Sequence, residues 1–195
     1  MHGVGDVRFF DRIARLYDFV MPPAERERLL DGLARADRPV DHVLDVGGGS
    51  GRAAMALETG DRQVTVVDIS RGMLSRARGR GLSCVQADAR RLPVASESVD
   101  AVTIVDALHH MPTQRTVLGD VARVLAPGGV LVVREFDPET LLGRATEFAE
   151  KQFGMGSLFT GPDDLARALE RAGLDTQVLD RGFGYTVVGV KQENN

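Results

Sequence analysis

The sequence predicts an α/β domain built on a parallel sheet. Two observations carry that expectation. Short runs that are apolar throughout alternate with helix-period patterns, and strands of that kind belong to sheets covered on both faces. The last two runs are separated by only a short turn. Parallel strands need a crossover of about a dozen residues, so these two are expected to pair antiparallel.

The elements follow in order. VDHVLDV (40–46) is the first strand candidate, and Gly51 to Glu58 the first helix of the core. QVTVVDI (63–69) is the second strand; Ser70 then fits the N-cap of a helix running to about Arg78. SCVQAD (83–88) is the third strand and VDAVTIVDAL (99–108) the fourth. From Gln114 to Leu125, Val117, Leu118, Val121, Val124 and Leu125 share one helical stripe. Pro127-Gly128-Gly129 ends that helix, and VLVVREF (130–136) is the fifth strand. A helix from Pro162 to Ala172 turns Leu165, Ala168, Leu169 and Ala172 inward and stops at Gly173. TQVLDRG (176–182) and YTVVGVK (185–191) form the terminal hairpin.

Composition narrows the function classes. The 195 residues are enough for one domain with a sizeable core. A net charge of −4 argues against a nucleic-acid binder, although 22 of the 24 basic residues are arginine. Cys84 is the only cysteine, so no intrachain disulfide forms and a reducing compartment is expected. The first thirty residues are cut by charges, and no run approaches the ~18 apolar residues of a membrane span. A cytoplasmic protein is expected, with no nucleic-acid partner.

The stretch VLDVGGGSGR (43–52) places four glycines directly after the first strand, where ligands bind in open α/β sheets. Gly47 and Gly49 match a dinucleotide loop, but Arg52 stands at its third glycine position. No Gly-Lys-Ser/Thr follows, which excludes a P-loop. Asp45 opens the loop, and a carboxylate beside a pyrophosphate is electrostatically poor while one beside a cation is favourable. Asp68 ends the second strand, placed to accept from ribose hydroxyls. Asp88 ends the third, where its side chain or neighbouring backbone can accept from an adenine amino group. Acids at three successive strand ends suit a cationic nucleoside.

These residues resemble the class I S-adenosylmethionine-dependent methyltransferases over about residues 9 to 190. LDVGGGSG is similar to the first motif, VVDIS carries the ribose acid and QADARRLP the adenine-side acid. VDAVTIVDALHHM resembles the fourth-strand motif and RVLAPGGVLVV the passage into the fifth strand. The resemblance implies a Rossmann-like doubly wound seven-stranded sheet, mostly parallel with the last strand antiparallel. It implies S-adenosyl-L-methionine as cofactor, S-adenosyl-L-homocysteine as product, and no metal. Cofactor contacts carry over to Asp45, Gly47, Gly49, Asp68, Ile69, Asp88 and Ala89, with Asp106 a further candidate. FFDRIARLYDFV (9–20) is similar to the N-terminal region of the ubiquinone and menaquinone C-methyltransferases, and suggests that Tyr17 closes over the cofactor. The same residues also read as one apolar helical face.

Methyl transfer from a sulfonium is a direct displacement, so alignment and exclusion of water dominate. A base is needed only where the nucleophile loses a proton. His110, and behind it His109, are candidates at the cleft mouth; capping or packing is the alternative for each. Tyr17 is a third. Asp137 reads as a turn residue before Pro138. Seven large apolar residues in 138–160 suggest a roof over a small hydrophobic or aromatic acceptor. No Asn/Asp-Pro-Pro-Tyr/Phe follows the fourth strand, which weakens adenine or glutamine N-methylation.

A single domain is therefore expected, with an N-terminal helical cap (1–38), a cofactor-binding core (39–137), a substrate-side segment (138–160) and a last helix with hairpin (161–195). The expected activity is methyl transfer to carbon or oxygen of a small molecule. A quinone-pathway C-methyltransferase is the narrower version, with peripheral membrane contact if the acceptor is a quinone. A non-catalytic cofactor-binding module is the rival class, and a dinucleotide oxidoreductase a distant third.

Overall fold

The computed structural model describes residues 24–152 and 156–193, with side chains of 149–152 outside that description. The N-terminal stretch 9–20, with Tyr17, lies outside the described residues. Helix α1 (Arg26–Leu33) leads into β1 (His42–Val46), α2 (Arg52–Leu57), β2 (Gln63–Asp68), α3 (Arg71–Gly79) and β3 (Ser83–Gln86). Then follow β4 (Val99–Val105), a 3-10 turn (Leu108–His110), α4 (Gln114–Val124) and β5 (Leu125–Phe136). Helices α5 (Leu141–Gln152) and α6 (Pro162–Arg171) precede β6 (Leu174–Asp180) and β7 (Gly184–Lys191).

The strands form one seven-stranded sheet in the order β3-β2-β1-β4-β5-β7-β6. The β1–β2, β1–β4, β2–β3 and β4–β5 pairs are parallel, and β7 runs antiparallel to both its neighbours. One face of the sheet packs Val117, Leu118 and Val121 of α4 and Leu165 and Leu169 of α6 into a core with Tyr185. The other face packs Leu29 and Leu33 of α1, Ala53, Ala54 and Leu57 of α2, and Leu74 and Ala77 of α3. The chain is thus wound on both faces, as the uniformly apolar strands require. Ser70 caps α3, its hydroxyl accepting from the Met73 amide at 3.1 Å.

Four local expectations need correction. Strand β3 is not covered on both faces: it is the sheet edge, and Ser83, Val85 and Gln86 are exposed. Strand β5 begins at Leu125, so Pro127-Gly128-Gly129 lies inside it as a register shift opposite Val99 and Ala101. The irregularity is compatible with proline because it breaks the ladder where the missing donor would have been needed. Strand β4 stops at Val105, three residues early, because Asp106 takes a left-handed φ of +50°. Residues 141–152, to which the sequence reading assigned no element, form α5.

Helix α1 lies directly on β5. A Cβ at Gly32 would sit 2.7 Å from Cγ1 of Val132, itself fully buried. Gly32→Val is expected to destabilise the fold by about 1–3 kcal/mol through overpacking. A lower urea midpoint with unchanged slope would show it.

Candidate functional site

The cleft lies at the carboxyl ends of β1, β2 and β4, at the switch point where the sheet order turns from β1 towards β2 on one side and β4 on the other. Asp45, Gly47, Gly49, Asp68, Ile69, Asp88, Ala89, Asp106 and His110 all line it. Of the described candidates only His109 is absent from the walls.

The glycine loop is shaped first by the protein's own packing. Gly47 has φ +72°, and a Cβ there would lie 2.6 Å from Cε of Met111 and 2.8 Å from Cβ of Ala107. At Gly48 a Cβ would meet Oδ2 of Asp45 at 2.3 Å. The turn after β4 therefore presses on the loop from one side, and the Asp45 carboxylate lies beneath it.

Asp45 is completely buried. The Thr103 hydroxyl donates to its Oδ1 at 2.9 Å. Oδ2 is buried with no hydrogen-bond partner among the described residues. Burial pushes its pKa up to about 6, and the negative charge of Asp68 adds to this. The Thr103 hydroxyl, the Ala54 amide and the Arg52 charge oppose the shift. The sequence placed this acid beside the ligand; the structure places it under the loop that would touch the ligand.

Asp68 accepts from the amide of Gly49 on Oδ2 (2.9 Å) and from that of Ser70 on Oδ1 (2.7 Å). These bonds orient its carboxylate and tie the glycine loop to the end of β2. Asp88 accepts from the Arg90 amide (2.9 Å) and pairs with the Arg90 guanidinium through both oxygens. Ala89 and exposed Ile69 complete that end of the cleft. Asp106 faces Arg52 across the opposite end, with Nη2 of Arg52 donating to Oδ2 at 3.3 Å. Burial, then the negative charge of Glu135, raises the Asp106 pKa, and the Arg52 charge opposes both.

The histidines separate. His110 lines the cleft, its Nδ1 3.2 Å from the Ser157 hydroxyl. His109 turns inward, 3% exposed, with Nδ1 2.5 Å from Oε2 of Glu135 and its ring stacked on Phe159. Asp137 accepts from the Glu139 amide, the turn role read from its place before Pro138.

Sequence reasoning missed three participants. Arg52 was weighed only as a break in a dinucleotide motif, yet it faces Asp106 inside the cleft. Arg80, just beyond α3, donates from its guanidinium to the Ser50 carbonyl at 2.9 Å and braces the loop. Glu135 was passed over inside an apolar strand. Its one local mark is that Arg134-Glu135 interrupts VLVVREF with the only charges in that run, which does not name the partners.

The chain is similar to known methyltransferases. Residues 44–133 match the family model described as a methyltransferase domain. The malonyl-[acyl-carrier protein] O-methyltransferase of Methylovorus sp. (strain MP688) is 34% identical over 189 residues, 89% of this chain and 64% of that protein. The demethylmenaquinone methyltransferase of Mycobacterium sp. (strain KMS) is 38% identical over 146 residues, 72% of this chain and 64% of that one. By that match residues 44–133 are a methyltransferase domain, and the chain is similar to methyltransferases over most of its length. It spans about two thirds of the length of these relatives. The fold of this chain is shared with a Thermotoga maritima crystal structure described as a possible histamine N-methyltransferase. That match has a TM-score of 0.78 at 23% identity and covers 95% of this chain and 99% of the other.

The residues of the cleft fit S-adenosylmethionine, the cofactor that the sequence resemblance implies. Buried Asp45 keeps an orphaned oxygen under the loop, Asp45, Asp68, Asp88 and Asp106 converge on one cleft, and an arginine stands at one end. That set complements a cation carrying a ribose and an amino-acid group. Among the described residues, no group of three or more His, Cys, Asp or Glu could hold a metal ion, and no helix is long and apolar enough to cross a membrane.

Proposed function

We propose that this protein transfers a methyl group from S-adenosyl-L-methionine to carbon or oxygen of a small hydrophobic or aromatic acceptor. The observation that carries the reading is the convergence of Asp45, Asp68, Asp88 and Asp106 on one cleft at the sheet's switch point. When bound, the cofactor supplies an electrophilic methyl group on a sulfonium, with a neutral leaving group.

The chain's own residues then bind and align. Asp68, held by two backbone amides, accepts from the ribose hydroxyls. Asp88 and Ala89 mark the adenine end. Asp106 and Arg52 offer opposite charges at the other end, complementary to an ammonium and a carboxylate. Buried Asp45 supplies negative charge through the loop. His110, at the mouth, takes a proton from acceptors that must lose one, and is idle for acceptors that need not.

Exposed apolar side chains in the segment after β5 favour a hydrophobic acceptor. Leu141, Leu142 and Phe148 of α5 are exposed, as is Leu158. This helix follows β5 from the same end of the sheet as the cleft. The similarity to an O-methyltransferase and to a menaquinone methyltransferase keeps both oxygen and ring carbon in play.

Calorimetric titration with S-adenosylmethionine and S-adenosylhomocysteine is expected to show one site for each. Folded protein that binds neither would overturn the reading. Methyl-labelled cofactor offered with a naphthoquinol or with a malonyl thioester then separates carbon from oxygen transfer. Tight binding with no transfer to any acceptor would favour a cofactor-sensing module instead.

A further inference from the structure

The carboxylate of Glu135 lies 4% exposed in the middle of the molecule, on a strand otherwise made for the core. A carboxylate in that setting costs several kcal/mol unless donors surround it. They do. Oε1 accepts from the amides of Ala107 (3.1 Å), Leu108 (2.6 Å) and His109 (3.3 Å). Oε2 takes Nδ1 of His109 at 2.5 Å. Three consecutive amides and one imidazole on a single carboxylate fix a turn that has only three residues of 3-10 helix to hold it.

That turn is the wall of the cleft. Ala107, His110 and Met111 line it. Ala107 and Met111 are also the side chains that press on Gly47 of the glycine loop. On its far side the turn anchors the next wall. The His109 carbonyl accepts from the Leu158 amide at 2.7 Å, and the Gln114 amide group bridges the Leu108 and Leu158 carbonyls. The His110 ring lies between these contacts, 4.0 Å from that of His109. A chain of contacts therefore runs from β5 through the turn to the loop on one side and to His110 on the other.

We propose that Glu135 is a positioning residue of this site, holding the 107–110 turn against Gly47 and so setting both the width of the cofactor cleft and the orientation of His110. The proposal rests on the cleft being the cofactor site. Glu135 touches neither cofactor nor acceptor; it acts through the turn. Its side chain does more than fill space, because the same volume with one oxygen replaced by an amide cannot satisfy the arrangement. In Glu135→Gln the Oε1 contacts survive, but the new amide group faces Nδ1 of His109. Two donors then meet, and His109 must change tautomer or rotate.

The test compares wild type with Glu135→Gln, each well below its own unfolding temperature. Binding of S-adenosylhomocysteine is expected to weaken about tenfold or more in the variant, equivalent to about 1.4 kcal/mol. In NMR spectra a His109 Nδ1 proton is expected far downfield and slow to exchange in the wild type, and lost in the variant. A role in stability alone would lower the unfolding temperature and leave the affinity unchanged; equal affinities would overturn the proposal. Wild type that binds no S-adenosylhomocysteine would overturn the reading of the cleft, a separate outcome. Hydrogen exchange on the wild type decides the matter if the variant does not fold. The amides of 107, 108 and 109 are expected to exchange as slowly as those of β4. Exchange as fast as the exposed 95–98 turn would overturn the proposal.

Discussion

Asp68→Ala is expected to weaken binding of S-adenosylhomocysteine by about 100-fold or more while leaving a folded protein. A hydrogen bond to a charged acceptor contributes about 1.5–3 kcal/mol, and this carboxylate is read as serving two ribose hydroxyls. Two such bonds exceed the roughly 2.8 kcal/mol that a hundredfold change requires. The substitution also removes the acceptor for the Gly49 and Ser70 amides. Asp68 is only partly buried, at the cleft wall, so water can replace those contacts at a cost of about 1 kcal/mol. Calorimetric titration, with circular dichroism to confirm the fold, measures both effects. Affinity within threefold of wild type would remove Asp68 from the ribose role.

Why Asp68 was visible in the sequence and Glu135 was not is a matter of range. Asp68 and Asp88 each stand where a strand run gives way to polar residues, so local pattern alone puts them at strand ends. Parallel packing then brings those ends together, and the cleft follows from the order of elements. Antiparallel β6 and β7 were legible for a similar reason, since their connection is too short for a crossover. Glu135 works through partners 26 to 28 positions away. Nothing local distinguishes an acid that ends a turn's donor list from one that faces solvent. The extension of β5 back to Leu125 was hidden by Pro127-Gly128-Gly129, which reads as a terminator but is tolerated inside the sheet where the register slips. Asp45 was half legible. Its position at the loop entrance was read correctly, but its burial depends on Gly48 having no side chain above it and on Thr103 from the neighbouring strand.

That burial yields the second large effect. Asp45 carries a pKa of about 6 in the folded protein against 3.8 for the free side chain. A raised carboxyl pKa means the folded state holds its proton to higher pH than the unfolded chain. Stability is therefore lost as pH climbs from about 4 to about 6, and the full penalty persists above that window. The 2.2-unit difference corresponds to about 3 kcal/mol at neutral pH, an order-of-magnitude figure. Asp45→Asn removes the titration. Its amide carries a burial cost of its own, but that cost does not vary with pH. The stability of Asp45→Asn relative to wild type is thus expected to rise by about 2–3 kcal/mol between pH 4 and pH 8, read from urea denaturation at each pH. A difference that stays flat would show that Asp45 titrates in the folded protein as it does in the unfolded chain, and would overturn the raised pKa. The same variant is expected to lose affinity for the cofactor, and to lose more for cationic S-adenosylmethionine than for S-adenosylhomocysteine, which lacks the sulfonium charge. A differential of about tenfold is the size that one pKa unit of coupling produces. In wild type the preference for the cation should strengthen as pH rises through the same window, because a cation favours the ionised carboxylate; Asp68 and Arg52 are the charged groups acting on Asp45. Stability given up at Asp45 would then be recovered only when the cation arrives, which explains why a fully buried acid with an unpartnered oxygen is held under a loop of glycines.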